Sequence, residues 1–227
     1  MNKKLFVILL SLLGTGTAAI MVSGIKLLSQ DLNPFMIAFY RCLFGVIIML
    51  PFMIYNYPEA WKTHNIKLQF VRSAINVYSM ISWFTAIGTL QLEKAAAIGF
   101  TTPLFTTILA IIFLGEVIRI QRITALIVGF IGILVVIRPG YVEVNLASIA
   151  ALGTGVMYGF YLIITRKLST SDNPLLTLLL TGVVGAIIIS TVMPFVWVKP
   201  TLNESSIMAA IGIFACIGHL FIILSLK

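Results

Sequence analysis

The chain has 227 residues, of which 60% are hydrophobic and 10% are charged. Ordinary globular chains contain roughly 45–50% apolar and about 25% charged residues, so a water-soluble fold could neither bury this much apolar surface nor cover its exterior with charge. The composition predicts a protein whose solvent is mostly lipid, and it excludes a disordered chain and a disulfide scaffold. Cys42 and Cys216 lie inside apolar runs and are interpreted as small hydrophobic residues.

Charged residues divide the chain into apolar runs near the ~20 residues that a membrane-spanning helix needs. Strands of a β-barrel would be about half as long and would alternate in polarity. The eight predicted spans are 5–25, 34–54, 73–92, 95–115, 123–137, 144–165, 173–198 and 205–226. The fold class is therefore all-α, a polytopic membrane helix bundle with eight transmembrane helices. The first span begins like a signal peptide, but its 21 uncharged residues favour a retained helix.

The distribution of lysine and arginine predicts the orientation of the bundle. With a cytoplasmic amino terminus, ten of these residues fall at inner ends of spans and four at outer ends, as the positive-inside rule requires. We expect a multi-pass protein of the bacterial inner membrane with both termini in the cytoplasm. Contact with anionic lipid explains the net charge of +8, so nucleic acid is not an expected partner.

Glycine and proline reveal an internal repeat. Residues 13–16 recur as 152–155, Asn33-Pro34 recurs as Asn173-Pro174, and Gly45 matches Gly185, at offsets of 139 or 140 residues. The second copy begins five spans after the first, and an odd number of spans per repeat inverts the topology of the second copy, as in many secondary transporters. The predicted domains are a first five-helix repeat, residues 1–140, and an incomplete second repeat of three helices, residues 144–227.

Arg41 is interpreted as the one charge well inside a span. It follows Pro34 by seven residues, which corresponds to about 10 Å along a helix. An arginine embedded in a membrane is costly and is taken as functional by default. It could attract a carboxylate-bearing solute in a cavity, or it could extend to the outer interface and pair with Asp31.

Further polar and aromatic residues are candidates for lining a solute cavity. In the third span Asn76, Ser79 and Trp83 share one helix face, which indicates either cavity lining or helix packing. His219 could relay protons or bind solute, or it could simply form a hydrogen bond across helices. Tyr158 and Tyr161 in the sixth span are similar candidates.

The fourth span combines a proline with neighbouring polar residues. Pro103 interrupts the helical hydrogen-bond ladder, and a kink there would open a cavity wall or would be an ordinary transmembrane proline. Its neighbours Phe100, Thr101 and Thr102 complete the predicted substrate-binding set. At the end of this span, Glu116 and Arg119 are spaced as a structural ion pair on a helix surface.

Several motifs of this sequence resemble those of a known protein family. They are Arg41 after Asn-Pro, Thr-Thr-Pro-Leu-Phe at 101–105, Phe-Leu-Gly-Glu at 113–116 and the glycine-rich run ending in Arg-Pro-Gly at 129–140. The chain resembles EamA-type domains of the drug/metabolite transporter superfamily and, within it, is similar to S-adenosylmethionine uptake transporters of intracellular bacteria. The resemblance implies five helices plus five, with solute cavities that involve the fourth helix. By the repeat offset Lys227 corresponds to Gly88, so counterparts of the fourth and fifth helices are missing.

The sequence thus predicts a secondary transporter that moves a small organic metabolite by alternating access. The alternative is a truncated, non-transporting remnant, or a half that needs partner helices or a homo-oligomer. An intramembrane enzyme is disfavoured because the chain has no Ser/His/acid set, paired carboxylates, Cys/His cluster or phosphate loop. The expected partners are a small-molecule solute and membrane lipids, without cofactor or metal.

Overall fold

Every regular element in the computed structural model is a helix, over the residues that it describes: 3–56, 58, 61–115, 120–137 and 146–225. The helices are α1 (Lys3–Leu28), α2 (Pro34–Tyr55), α3 (Ile66–Thr89), α4 (Leu92–Gly99), α5 (Thr102–Leu114), α6 (Ile120–Ile137), α7 (Leu146–Leu168), α8 (Pro174–Ser190), α9 (Met193–Val196) and α10 (Leu202–Ser225). Five stretches are long and apolar enough to cross a membrane: Val7–Leu28, Pro34–Tyr55, Leu92–Leu114, Ser148–Leu168 and Leu202–Leu224. Ile123–Gly132 and Pro174–Ser190 are shorter apolar helices. The protein is a multi-pass membrane helix bundle.

The turns that precede α2 and α8 share one local structure. The side chains of Asn33 and Asn173 each accept a hydrogen bond from the backbone N–H two residues on, at 3.0 and 2.9 Å. In each case a proline occupies the first helical position, where its missing N–H costs nothing. Upstream, the hydroxyls of Ser29 and Ser169 each donate to the carbonyl three residues earlier at 2.8 Å. The sequence repeat is therefore also a repeat of local structure.

Helix pairs pack in a regular pattern that leaves α2 and α3 at the centre. Helix α1 packs against α10 and α3 against α7, while α2 contacts both α8 and α10, and α5 covers α7. Glycines allow the closest crossings. A Cβ on Gly185 would lie 2.6 Å from Sγ of Cys42, and one on Gly212 would lie 2.6 Å from Cβ of Phe44. These positions hold α2 tightly against α8 and α10.

Two predicted spans are interrupted in the structure, although Leu92–Leu114 as a whole is long and apolar enough to cross a membrane. The fourth, 95–115, is divided between α4 and α5 at Phe100 and Thr101, so the break precedes Pro103, which occupies the second position of α5. The seventh, 173–198, ends at Ser190, and Pro194 lies in the separate short helix α9. Both prolines sit in the first turn of a new helix, where they replace no hydrogen bond.

The helix that contains most of the third predicted span begins seven residues before Ser73. Helix α3 begins at Ile66, and the side chain of Asn65 caps it by accepting a hydrogen bond from the backbone N–H of Leu68 at 3.0 Å. The helix therefore includes Arg72, which lies outside the predicted span of 73–92. For the other spans, helix ends differ from the predicted ends by three residues or fewer. The predicted pair of Glu116 and Arg119 lies outside the described residues.

Candidate functional site

Arg41 is buried in the bundle rather than extended to an interface. Its residue surface is 8% exposed, and Nη1 donates to Sδ of Met80 at 3.0 Å. Its Nε is buried and has no hydrogen-bond partner within the described part of the chain. Asp31 is exposed and makes no ion pair with Arg41. The cation therefore lies in the protein interior with a thioether as its acceptor.

A second buried arginine, Arg72 of α3, was missed by the sequence analysis. It is fully buried, and Nη2 donates to the carbonyl of Thr177 and to Oγ1 of Thr181, both at 2.6 Å. Its Cζ lies 5.1 Å from the centre of the Tyr161 ring, within range of a cation–π interaction. Arg41 is therefore not the only buried arginine in the described part of the chain.

Gln69 connects this arginine to an acidic residue in the α7–α8 turn. Its Nε2 donates to Oδ2 of Asp172 at 2.8 Å and to Oγ1 of Thr177 at 3.1 Å, while its Oε1 accepts from Nε of Arg72 at 3.2 Å. An amide can do this because it both donates and accepts. The result is a continuous polar network that joins the first two turns of α3 to the start of α8.

Asp172 receives further hydrogen bonds from the loop between α2 and α3. Oγ1 of Thr63 donates at 2.6 Å, the backbone N–H of His64 at 3.1 Å and the hydroxyl of the adjacent Ser171 at 3.0 Å. Burial alone would raise the pKa of Asp172, but the hydrogen bonds from Thr63, Gln69, His64 and Ser171 outweigh it and lower that pKa below its usual value. The carboxylate is thus held charged at this end of the bundle.

Aromatic residues lie between the two arginines. The rings of Tyr158 and Tyr161 stack with centroids 5.2 Å apart, and the imidazole of His219 meets Tyr161 edge-on at 6.2 Å. Nδ1 of His219 lies 3.0 Å from the carbonyl four residues earlier, whereas Nε2 is buried without a partner in the described structure. Both Arg41 and Arg72 are close enough to act electrostatically on this imidazole. We call these five residues the polar cluster.

The three residues of the predicted α3 face, Asn76, Ser79 and Trp83, have different surroundings in the structure. Asn76 is 3% exposed and lies one turn from the buried arginine of α3, with no hydrogen bond to any described residue. Ser79 instead packs α3 on α7, since its hydroxyl and that of Thr154 each point to the other's backbone carbonyl at 3.4 and 3.5 Å. The ring of Trp83 fills the space above Gly99, 3.0 Å from the position of a Cβ there.

The residues around the α4–α5 break lie apart from the polar cluster. Phe100 is 67% exposed and, with Pro103, lines an apolar pocket of about 540 Å³ between α4–α5 and α6. Thr101 is buried against α7 and donates its hydroxyl to the carbonyl of Ile98 at 2.6 Å. The carbonyl of Thr102 accepts from the hydroxyl of Thr106 at 2.8 Å. No member of the polar cluster lines this pocket.

A cluster of buried polar and aromatic side chains enclosed by apolar helices is typical of polytopic integral membrane proteins, a class that includes solute carriers. Residues 5–138 match the EamA-like transporter family, and the chain belongs to that family. The resemblance found in the motifs is thereby confirmed.

Curated relatives carry the names of transporters. The S-adenosylmethionine uptake transporter of Rickettsia bellii (strain RML369-C) is 29% identical over 89% of this chain and 68% of its own length. That of Rickettsia prowazekii (strain Madrid E) is 29% identical over 82% and 64%. A riboflavin transporter of Brucella anthropi is 23% identical over 82% of this chain and 67% of its own length. These relatives are not enzymes, in agreement with the sequence prediction.

The chain spans about two thirds of the length of the Rickettsia relatives that it matches. A solved crystal structure superposes on 96% of this chain and 79% of its own, with a TM-score of 0.75 at 14% sequence identity. The helix bundle is therefore an established fold.

Proposed function

We propose that the protein is a secondary transporter that carries a small organic metabolite across the bacterial inner membrane by alternating access. The observation that carries this proposal is the polar cluster, which gathers ionisable and aromatic side chains from α2, α3, α7 and α10 inside the bundle. Ionisable groups at such depth are costly and usually mark a solute path. S-adenosylmethionine and riboflavin, named for the relatives, are the first solutes to test.

Contacts at the two ends of α3 support the proposed orientation. Nζ of Lys26, at the end of α1, donates to the carbonyls of Ile87 and Leu90 at 2.8 and 2.9 Å. At the other end of α3, Thr63 bonds to Asp172. Each contact joins segments that the charge distribution assigns to the same side of the membrane. This agrees with eight spans of alternating direction and with cytoplasmic termini.

The packing pattern supports an inverted repeat of residues 1–140 and 144–227. The offset relates α1 to α7, α2 to α8 and α3 to α10. When each helix is replaced by its repeat counterpart, the α1–α10 pair becomes the α7–α3 pair and the α10–α2 pair becomes the α3–α8 pair. All four pairs are in contact. The α2–α8 pair maps onto itself, so the pseudo-symmetry axis would pass between these two helices.

The same symmetry favours the second candidate, a bundle that works with further helices seated on α1. On α7, the small residues Gly155 and Gly159 lie directly beneath α5. Their counterparts on α1 at the offset of 139 residues, Gly16 and Ile20, are exposed, and the space above Gly16 is open. The hydroxyl of Thr15 bonds to its own helix at 2.8 Å, so this face is smooth enough for a helix to pack on it.

Substituting Gly16 tests this second candidate. With a helix seated on α1, Gly16→Leu should lower transport and assembly, whereas Ile20→Leu, which conserves side-chain volume on the same exposed face, should change neither. Native mass spectrometry of protein extracted from membranes reports the assembly. Equal behaviour of the two variants would show that this face meets only lipid.

Uptake of labelled solutes tests the transport proposal. Cells that express the chain should accumulate a labelled metabolite above vector controls, and preloading them with unlabelled solute should accelerate exchange, as alternating access requires. Arg41→Ala should abolish uptake, while Lys199→Gln, which removes an exposed cation, should preserve it. If no solute of a broad metabolite panel is accumulated by wild-type cells, the proposal fails for this chain.

A further inference from the structure

The charge of Arg41 is not neutralised by the described protein. No carboxylate of the described residues lies within 4.0 Å of its guanidinium. Its Nη1 donates to Sδ of Met80, and a thioether is a weak, uncharged acceptor. A buried cation without a partner is strongly unfavourable. The buried guanidinium of Arg41 therefore lacks a compensating negative charge.

The positive charge of the second buried arginine, Arg72, is compensated. Arg72 donates to Thr177 and Thr181 and is linked through Gln69 to the charged Asp172. Its positive charge thus has a compensating negative charge two hydrogen bonds away. One net positive charge remains in the polar cluster, and it belongs to Arg41.

The polar atoms of the cluster that lack hydrogen-bond partners among the described residues indicate which shape of anion fits there. Nη1 of Arg41 faces Met80, which leaves the edge formed by Nε and Nη2 outside that bond, and its Nε is buried without a partner. This edge of a guanidinium matches the two oxygens of a carboxylate. Nη1 of Arg72 and Nε2 of His219 are two further buried polar atoms without partners among the described residues.

We infer that the transported solute carries a carboxylate, which binds the Nε edge of Arg41 inside the polar cluster. This rests on the proposed transport function and specifies its solute class. A single carboxylate neutralises the one uncompensated charge, whereas a phosphate dianion would leave an excess negative charge within the membrane. The stacked rings of Tyr158 and Tyr161 form an apolar wall beside the anion site.

Matched pairs of acids and amides test the inference on the purified full chain in lipid nanodiscs. The probes are benzoate against benzamide, and N-acetylmethionine against its amide, so that each pair differs only in the carboxylate. The acids should raise the unfolding midpoint of the wild type in a dose-dependent way, and the amides should not. Equal shifts by acid and amide, or no shift by either at the highest soluble concentration, would overturn the inference.

Variants at Arg41 connect the effect to this side chain. Arg41→Gln should weaken acid binding about tenfold or more, as loss of a charge-assisted hydrogen bond predicts, and should abolish the preference over the amide. Arg41→Lys keeps the positive charge but loses the planar pair of N–H donors, so it should retain the preference for the acid at reduced affinity. The matched control Lys199→Gln should bind like the wild type. A preference that survives in Arg41→Gln contradicts the inference.

Failure of this inference differs from failure of the proposed function. Uptake that is equal for an acid and its amide, and unchanged in Arg41→Gln, would leave transport intact and refute the carboxylate site. Acid binding that requires Arg41, in a chain that accumulates no solute, would support the site and refute transport.

Discussion

The side-chain amide of Gln69 donates a hydrogen bond of 2.8 Å to the carboxylate of Asp172, 103 residues further along the chain. Through this bond the beginning of α3 is fastened to the turn that starts α8. With the bonds that Arg72 makes to α8, it forms a polar seal at the end of the bundle that we assign to the cytoplasm. The stability of this seal can be tested.

Asp172→Asn should destabilise the protein by about 1–3 kcal/mol, the cost of leaving buried polar groups unsatisfied. The aspartate only accepts hydrogen bonds, and its donors include Thr63 and Gln69; an asparagine would direct an NH₂ group at one of them. Denaturant unfolding in detergent measures the change. Asp31→Asn, at an exposed position in the equivalent first turn, is the control and should be neutral. Equal stability of the Asp172→Asn variant and the wild type would show that the seal contributes nothing.

The contribution of Asp172 should vanish in acid. Its pKa in the folded protein is lowered, because its hydrogen bonds outweigh the effect of burial, and the unfolded value is about 3.9. The stabilisation is therefore fully present above the unfolded pKa and is lost as the pH falls through the folded pKa. The stability difference between wild type and Asp172→Asn should be constant at neutral pH and should shrink below about pH 4. A difference that grows in acid would reverse the assigned direction of the shift.

Gly185→Ala should destabilise the α2–α8 crossing by about 1–3 kcal/mol through overpacking. The new Cβ would lie 2.6 Å from Sγ of Cys42. Cys42→Ala removes that sulfur, so the double variant should recover most of the loss, with a coupling energy of about 1 kcal/mol or more in a double-mutant cycle. Gly16→Ala, where nothing lies within 4 Å, is the matched control and should not destabilise the protein, because alanine is the better helix former. Additive effects at positions 185 and 42 would contradict the contact.

Arg41→Met should make the ligand-free protein more stable, by about 1–4 kcal/mol, because apolar replacement of an uncompensated buried charge removes its desolvation penalty. A purely structural arginine would give the opposite sign. Unfolding of the two proteins in the same detergent, without added solute, measures the difference. Loss of stability in Arg41→Met would mean that the guanidinium supports the fold.

The turns before α2 and α8 could be predicted from sequence because the information is local. Asn33 and Asn173 each precede a proline, and both the cap and the helix start are determined within a few residues. The position of Arg72 could not be predicted in this way. Its partners Thr177 and Thr181 lie more than 100 residues away, and a charge at the edge of an apolar run is ordinarily a solvated boundary.

The candidate site likewise combines features that local sequence predicts with features that depend on how distant helices pack. The depth of Arg41 in an apolar run is compatible with burial or with extension to the interface, whereas its place in one cluster with Tyr158, Tyr161 and His219 depends on how two other helices, α7 and α10, pack around it. Ser79 and Trp83 share a helix face with Asn76, but the neighbours of that face decide their roles. Trp83 packs against Gly99, a contact that helical periodicity does not specify.

The attachments at the ends of α3 limit how this helix can move. Lys26 holds its carboxyl end through two backbone carbonyls, and Asp172 holds its amino end through Gln69. The two anchors come from opposite halves of the chain and lie at opposite ends of α3. Releasing one anchor leaves α3 attached at the other, which favours a tilt about the remaining anchor, and sliding of α3 along its own axis would require both to break together.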